Sequence, residues 1–287
     1  MDVISRITSS YGKLSKGHKK IADYVSAHYD KAAFMNVGQL ASATGKSEAT
    51  VVRFSTELGY EKYQLFQKAV LDYAKSKLTS VQRMDLTYDR MGGADILSSV
   101  LHADIDKIRE TLANIDPAEF DGVVEKIASA KRIYVIGLRS AQAMADFLGF
   151  YLNIIFDNVK VVSSVSASEI FEQMFRVGRG DVVIGISFPR YSIRTINALK
   201  YARKMGGTVI GITDGAMSPI KENADYSLLA RSGMESFLDS LVAPFSLLNA
   251  LIVALGAKKR EEVYRNLETL ENIWHEYEVY DDAENEQ

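Results

Sequence analysis

The feature that most restricts the fold is a regular alternation of short apolar runs and helical patterns over residues 132–229. Two of the runs, at 133–136 and 182–186, carry no charge and are rich in β-branched residues. Runs of this kind are typical of strands that are buried on both faces of a parallel sheet. Strands that alternate with helices predict a sheet covered by helices on both faces, so we expect a three-layer α/β fold here.

The alternation predicts five parallel strands, at 132–136, 159–162, 181–186, 207–212 and 225–229. Helices are predicted at 141–156, 167–176, 192–205, 218–223, 237–256 and 258–275. Five-stranded sheets of this kind commonly have the flavodoxin-like order 2-1-3-4-5 and bind ligands where that order reverses, between strands 1 and 3. We therefore expect a ligand crevice where the strands at 132–136 and 181–186 end.

The first part of the chain, residues 1–78, contains almost no strand signal and is predicted to be all-α. A short helix is predicted at 36–43, a tight turn with a glycine at 44–46, and a second helix at 47–58 with Ser47 as its N-cap. A helix, a short turn with glycine and a second helix form the helix-turn-helix arrangement. We divide the chain into this domain, a linker at 79–94, a second domain at 95–275 and an acidic tail at 276–287.

The outer face of the second helix carries the candidate DNA contacts. Ala49, Val51 and Val52 are expected to pack inward, with Phe54 and Leu58 extending the apolar stripe. The DNA candidates are Lys46 for a phosphate, Ser47, Thr50 for a base or thymine methyl, and Arg53 for a guanine edge or a phosphate. The alternative is a helical pair that serves packing only.

Charge is distributed unevenly along the chain. Residues 1–80 hold 12 Lys and Arg against 7 Asp and Glu, whereas the remaining residues hold 22 against 30. A basic first segment on an acidic body favours a polyanionic partner, double-stranded operator DNA, for that segment alone. The alternative is a solvated helical face with additional lysines.

Two turns that carry hydroxyls and arginines follow the central strands. Ser140 is expected to cap the helix at 141–156, so that its hydroxyl and the next amides would hold phosphate oxygens. Ser187 and Ser192 would flank the same group, and Arg139 or Arg190 would supply charge. Alternatively, Ser140 and Ser192 are ordinary N-caps.

Glu235 precedes the predicted helix at 237–256 and would reach the mouth of the crevice. The alternative for Glu235 is an acid stabilised by the helix dipole.

Other sequence features narrow the classes of function. There is no cysteine, and the four histidines are scattered, which argues against a metal site. No phosphate-binding loop or Gly-x-Gly-x-x-Gly motif follows a strand, so we expect no nucleotide cofactor. With no apolar run of 18 residues and no secretory signal at the start, we expect a cytoplasmic protein with no membrane span.

Two motifs resemble one family of bacterial transcription regulators. Residues 47–54, followed by Leu58, Gly59 and Tyr60, resemble the helix-turn-helix of the RpiR family, and residues 120–255 resemble the SIS domain, a phosphosugar-binding fold. The resemblance implies a DNA-binding homodimer or homotetramer whose operator affinity is modulated by a phosphorylated sugar. It also implies that Ser140 is the first phosphate-loop serine, and that Ser187 and Ser192 are the first and last hydroxyl positions of the second loop.

The second loop departs from the usual SIS pattern, because Pro189 and Arg190 stand where serine and glycine are usual. The alternative function is a sugar-phosphate isomerase, which needs a carboxylate base and commonly a histidine for ring opening. His18, His28, His102 and His275 all lie outside the alternating region. The sequence therefore favours a regulator over an enzyme.

Overall fold

The computed structural model describes residues 2–84, 95–163, 166–234 and 237–280. The chain divides into two compact units, Met1–Ala94 with Met234–Asp239, and Asp95–Gly233 with Ser240–Gln287. Glu235 lies outside the described residues, as do most of the predicted linker and of the acidic tail.

The first unit is helical. Its helices are α1 (Val3–Ser10), α2 (Lys16–Ala27), α3 (Tyr29–Ala32), α4 (Val37–Thr44), α5 (Glu48–Glu57) and α6 (Tyr63–Lys77), with a 3₁₀ turn at Tyr11–Lys13 and a helical start at 80–84. Polar caps fix several of the helix starts: the Ser15 and Ser47 side chains accept from backbone N–H groups, and Asn36 forms a reciprocal capping box with Gln39. The predicted helix-turn-helix is confirmed as α4 and α5.

The buried face of α5 differs from the predicted one. Val51, Phe54 and Leu58 are buried, as expected, but Ala49 and Val52 are exposed. The spacing of the buried residues, three and four apart, sets one face of the helix, and Ala49 and Val52 lie on the other. The predicted inward packing of Ala49 and Val52 is therefore wrong.

The second unit contains a five-stranded parallel sheet. Its strands are β1 (Ile133–Gly137), β2 (Val159–Val162), β3 (Val182–Ile186), β4 (Thr208–Thr213) and β5 (Tyr226–Leu229). Their order is β2-β1-β3-β4-β5, with Ile136 of β1 level with Val162 on one side and Gly185 on the other. Because β1 and β3 are neighbours while β2 lies outside β1, the order reverses between them, and the predicted topology is confirmed.

Helices cover both faces of this sheet. They are α7 (Ile96–Asn114), α8 (Pro117–Ala128), α9 (Ser140–Ile155), α10 (Ala167–Met174), α11 (Ile193–Lys204), α12 (Pro219–Glu222), α13 (Val242–Lys258) and α14 (Arg260–Glu276). Val135 and Ile184 belong to the core on one face, whereas Tyr134, Ile136 and Val183 belong to the core on the other. Alternate residues of each strand therefore pack into separate cores, which explains why the runs are apolar throughout.

The helix predicted at 237–256 begins later in the structure. Residues Gly233–Met234 (β6) and Asp239–Ser240 (β7) form a small two-stranded sheet, and α13 begins at Val242. Pro244 sets this start, since proline is tolerated in the first turn of a helix but not further inside it. The predicted start at residue 237 is wrong for that reason.

Across the described ranges, no single helix is long and apolar enough to cross a membrane. Helices α13 and α14 pass a test of length and composition only as a pair, and they are bent by 100° at the break between them.

Candidate functional site

The first turn, between β1 and α9, is short. A Cβ atom added to Gly137, the last residue of β1, would lie 2.4 Å from the carbonyl oxygen of Ala141 in α9. Only Leu138 and Arg139 separate the strand from the helix, and Arg139 takes φ 61° and ψ −126°, a conformation that favours glycine. The absence of a side chain at Gly137 thus lets the start of α9 pack directly against the end of β1.

Helix α9 begins at Ser140, and Arg139 occupies the N-cap position without a side-chain capping bond. The prediction of Ser140 as the N-cap is therefore wrong by one residue, because the close approach at Gly137 starts the helix earlier. The exposed Ser140 contributes one of the first backbone N–H groups of α9, which have no partner within the helix.

The second turn is held in shape by its own hydroxyls. The Ser187 Oγ accepts from the backbone N–H of Ser192 at 3.1 Å, and the Ser192 Oγ accepts from the N–H of Thr195 at 3.3 Å as the N-cap of α11. Ser187 is only 4% exposed. The Tyr191 hydroxyl donates to Asp214 Oδ1 at 2.8 Å, which ties this turn to the residue after β4.

A cavity of about 1050 Å³ lies against both turns, at the edge where the strand order reverses. It is lined by Leu138, Arg139, Gln142, Asp146, Ser163, Arg190, Tyr191, Ser192, Ile193 and Arg194. Three predicted site residues, Arg139, Arg190 and Ser192, are therefore in its wall. Ser140 and Ser187 are absent from the lining, and Glu235 lies outside the described residues.

The cavity wall also contains residues that the sequence reasoning missed, among them Gln142, Asp146 and Arg194. Gln142 and Asp146 are four residues apart on α9, and the Gln142 Nε2 donates to Asp146 Oδ1 at 2.7 Å. Arg194 is the second residue of α11. The signal that would have found all three is their position on the helices that directly follow the two turns.

No group of three or more histidine and acidic side chains in the described part of the chain could hold a metal ion. The cavity wall offers guanidinium, hydroxyl and amide donors, which suit an anionic ligand.

Helix α5 exposes one face at the surface of the helical unit. Gly45 ends α4 with φ 63°, and the Ser47 Oγ caps α5 by accepting from the N–H of Thr50 at 3.3 Å. The Ser47 and Thr50 hydroxyls are also 2.8 Å apart, so they form one polar group at the start of α5. Arg53 is exposed, although its Nε donates to the Ala49 carbonyl at 3.2 Å.

Two further residues, Lys46 and Val52, lie next to or on α5. Lys46 is half-buried, and its backbone N–H donates to the Ala41 carbonyl. Val52 is 41% exposed beside Arg53, which places an aliphatic side chain on the outer face. The outer face of α5 therefore combines hydroxyls, a guanidinium and a methyl-bearing residue, the types of group that read base edges in the major groove.

The fold and these two surfaces define a two-domain protein with a helix-turn-helix and a SIS domain, and the comparisons with known proteins agree. Residues 1–77 match the helix-turn-helix domain of the rpiR family, and residues 126–254 match the SIS domain. The chain therefore combines the helix-turn-helix domain of the rpiR family with a SIS domain, and so matches the RpiR-family transcriptional regulators.

Relatives and solved structures are similar to the whole chain or to its SIS domain. An HTH-type transcriptional regulator of Haemophilus influenzae is 28% identical over 231 residues, 79% of each chain. The sugar isomerase domain of an RpiR transcription factor from Sphaerobacter thermophilus is 26% identical, with a TM-score of 0.58 over 61% of this chain and 97% of that one. The NanR protein of Vibrio vulnificus, solved with ManNAc-6P, is 23% identical, with a TM-score of 0.59 over 95% of this chain and 98% of that one.

Proposed function

We propose that a phosphorylated sugar binds in the cavity between the two turns and modulates the affinity of the protein for operator DNA. The observation that carries this proposal is the cavity itself, which lies at the reversal of strand order and is lined from both turns. The complex of the similar NanR protein with ManNAc-6P supports a ligand of this class. We place the protein in the cytoplasm because its operator would lie there.

Within this proposal, the free amides at the start of α9, including that of Ser140, receive phosphate oxygens. Arg139, Arg190 and Ser192 supply donors from the cavity wall. Ser187 supports the site indirectly, since its hydroxyl accepts the Ser192 N–H and so fixes the loop.

DNA reading is assigned to the outer face of α5. Arg53 pairs with a guanine edge or a phosphate, Thr50 and Ser47 contact a base or the backbone, and Lys46 contacts a phosphate. Val52 is added to this set, since its exposed side chain suits a thymine methyl.

The protein is further proposed to act as a homodimer or homotetramer, because a two-fold assembly matches the two half-sites of a near-palindromic operator. Helix α7 supports this, since Leu97, Leu101 and Leu112 are 71%, 53% and 76% exposed. Sedimentation of the full chain as a monomer at micromolar concentration would refute the assembly.

We propose that the SIS domain binds its ligand without catalysing a reaction on it. Among the residues that line the cavity there is no histidine, and the one carboxylate, Asp146, accepts a hydrogen bond from Gln142. An isomerase needs a base for the proton transfer between adjacent carbons. Conversion of a hexose or pentose phosphate by the pure protein at enzymatic rates would refute this part.

The test of DNA reading compares Arg53→Ala with Arg109→Ala, an exposed arginine of α7 that forms an i,i+3 pair with Asp106. Fluorescence anisotropy with labelled promoter DNA should show a loss of about 1–3 kcal/mol for Arg53→Ala if the side chain reads a base. Arg109→Ala should change the affinity by less than about twofold, since the residue lies outside the reading helix. Equal affinities for wild type and Arg53→Ala would refute the assigned role.

The test of effector binding repeats the anisotropy titration with added sugar phosphates, including ManNAc-6P. Coupling between two sites is typically about 1–3 kcal/mol, so the effector should change the DNA affinity about 5- to 150-fold, in either direction. If no phosphosugar changes either the DNA affinity or the melting temperature, the proposal fails.

A further inference from the structure

Strand β7 consists of two residues whose side chains bond in different units. Asp239 is grouped with the helical unit, and its Oδ2 accepts a hydrogen bond from Arg83 Nη1 at 2.8 Å. Ser240 is grouped with the unit that contains the sheet, and its Oγ donates to Asp104 Oδ1 of α7. The two side chains are therefore attached to separate units, although the residues are consecutive in the chain.

Both contacts are buried. Arg83 is 1% exposed, Ser240 is 6% exposed and Asp104 is 8% exposed. Hydrogen bonds in such surroundings are stronger than those in water, and the loss of a partner is more costly. Because the backbone has only two soft dihedral angles per residue, a shift of Ser240 together with α7 must displace Asp239 or change its backbone conformation. The position of one contact therefore restricts the other.

The pair formed by Asp239 and Arg83 is incomplete on the side of the carboxylate. Among the described residues, Asp239 Oδ1 is buried and has no hydrogen-bond partner. A buried acceptor without a partner costs free energy in the folded protein. The pair is thus less stable than a fully bonded one, which brings an alternative state with a changed pair closer in free energy.

Hydrogen bonds also lead from the cavity wall to the end of the sheet. The Tyr191 hydroxyl, in the wall, donates to Asp214 Oδ1 at 2.8 Å, directly after β4. The carbonyl of Thr213, the last residue of β4, accepts from the N–H of Ala230 at 2.9 Å. A change at the second turn therefore acts on the stretch that follows β5.

Helix α7 holds this stretch at two points. The N–H of Arg231 donates to Thr111 Oγ1 at 2.9 Å, and the Ser240 hydroxyl donates to Asp104. Thr111 and Asp104 are seven residues apart, about two helical turns, so they lie on the same face of α7. Both are 8% exposed. One face of α7 thus connects Arg231, beside the end of the sheet, with Ser240 of β7.

We propose that β7 transmits occupancy of the cavity to the helical unit, and that the Arg83–Asp239 pair is the contact through which it acts. A ligand that orders the second turn changes the hydrogen bond from Tyr191 to Asp214, and with it the placement of α7 and Ser240. The pair of Asp239 with Arg83 then shifts, which changes the DNA affinity of the helical unit. Contiguous hydrogen-bonded networks with two arrangements carry energetic coupling of this kind. This inference rests on the proposed function, since it describes the regulation exerted by the same cavity.

The test measures the coupling factor, which is the ratio of the DNA dissociation constants with and without a saturating sugar phosphate. The probes are ManNAc-6P, glucose 6-phosphate and fructose 6-phosphate, used with the full chain and labelled promoter DNA in anisotropy titrations. The wild type should show a coupling factor of about 5–150 with at least one probe. Asp239→Asn keeps the shape of the side chain but removes its charge, so the factor should fall below about two. The variant should still bind DNA and the sugar phosphate, each within about tenfold of wild type.

Two controls separate coupling from stability and from charge. Tyr63→Phe destabilises the helical unit by removing the hydrogen bond from its hydroxyl to the Met35 carbonyl, without touching β7. Asp106→Asn removes one acidic charge from an exposed pair with Arg109. Both variants should keep the wild-type coupling factor, because neither changes the bonds of Asp239. A fall in the factor for Tyr63→Phe as large as that for Asp239→Asn would overturn the inference.

Two further variants test the contact from either side. Ser240→Ala removes the bond to Asp104 and leaves the Arg83–Asp239 pair in place, and it should lower the coupling factor at least about threefold. If Asp239→Asn does not fold, as judged by circular dichroism, Ser240→Ala decides the question. The double variant Arg83→Gln, Asp239→Asn should have the coupling factor of Asp239→Asn alone, since both substitutions remove the same contact.

The outcomes separate this inference from the proposed function. If a sugar phosphate changes the DNA affinity of the wild type and changes that of Asp239→Asn and Ser240→Ala equally, the proposed function stands and the inference is wrong. If no sugar phosphate changes the DNA affinity of the wild type, both are wrong.

Discussion

Gly137→Ala should weaken binding of the proposed effector while leaving the helical, DNA-binding unit folded. The added Cβ would lie 2.4 Å from the carbonyl oxygen of Ala141, 2.9 Å from its carbonyl carbon and 3.2 Å from the Cβ of Ala145. Ordinary contact begins near 3.4 Å, and the obstacle is backbone rather than a flexible side chain, so the first turn of α9 must move by about 1 Å. The φ angle at Gly137 is not positive, which leaves this contact as the source of the effect.

The cost of the substitution has two parts. Overpacking of a well-packed core destabilises by about 1–3 kcal/mol, offset by about 0.4–1 kcal/mol from the lower entropy of the unfolded chain. A shift of about 1 Å at the start of α9 also lengthens hydrogen bonds from its amides to a bound phosphate. Each bond to a charged group contributes about 1.5–3 kcal/mol, so the loss of one weakens effector binding by about tenfold or more.

Two measurements check this expectation. Differential scanning calorimetry should show a lower melting temperature for the sheet unit, by about 2–4 °C per kcal/mol. Anisotropy titrations should show unchanged DNA affinity without effector and a weakened response to it. The control is Gly256→Ala in α13, where an added Cβ meets nothing within 4 Å and helix propensity favours alanine. Wild-type stability and wild-type effector affinity in Gly137→Ala would refute the packing argument.

Other perturbations test the helical unit. Arg83 is 1% exposed, and its Nη1 lies 2.8 Å from Asp239 Oδ2. Asp239→Ala removes this carboxylate from a buried guanidinium and should cost up to about 3–5 kcal/mol in urea unfolding. Asp106→Ala, in an exposed pair with Arg109, should cost less than about 1 kcal/mol. Equal effects of the two would contradict the role of burial. Burial raises the pKa of Tyr63 to about 12, above its unfolded value near 10. The contribution of Tyr63 to stability should therefore be constant below pH 10 and be lost as pH rises towards 12. Tyr63→Phe should reduce the loss of stability at alkaline pH. It also removes the hydrogen bond from the Tyr63 hydroxyl to the Met35 carbonyl, at a cost of about 0.5–1.5 kcal/mol at pH 7. An unchanged loss of stability at alkaline pH would exclude Tyr63 as its source.

The strands and their order could be predicted because the alternation of short apolar runs with helical patterns is local and is repeated along the chain. Each residue of β1 and β3 is buried, since alternate residues face separate cores. A short, fully apolar run between helical patterns is therefore typical of a central parallel strand. The helix starts with side-chain caps were equally accessible, as Ser47 and the pair Asp116 and Pro117 show.

The sequence predictions were wrong where the pattern of apolar residues was compatible with two different structures. Helix α5 carries apolar residues around most of its circumference, so periodicity alone did not separate Val51, which is buried, from Val52, which is not. The exposure of Val52 extends the proposed set of DNA contacts, because an aliphatic group on the outer face suits a thymine methyl, a role that sequence analysis assigned to Thr50 alone.

The cavity shows why turn residues are harder to assign than strands. The sequence located both turns, but the side chains that line a cavity depend on which loop groups satisfy one another. Ser187 is used inside its own loop, where its hydroxyl accepts the Ser192 N–H, whereas Arg194, a helical residue outside the turn, lines the cavity. Serine side chains are short, so their hydroxyls bond to the nearest backbone donor. Arginine side chains are long enough to place the guanidinium beyond the loop backbone. In this chain, therefore, the serines of the second turn fix the shape of the loop, and the proposed ligand would meet the guanidiniums around it.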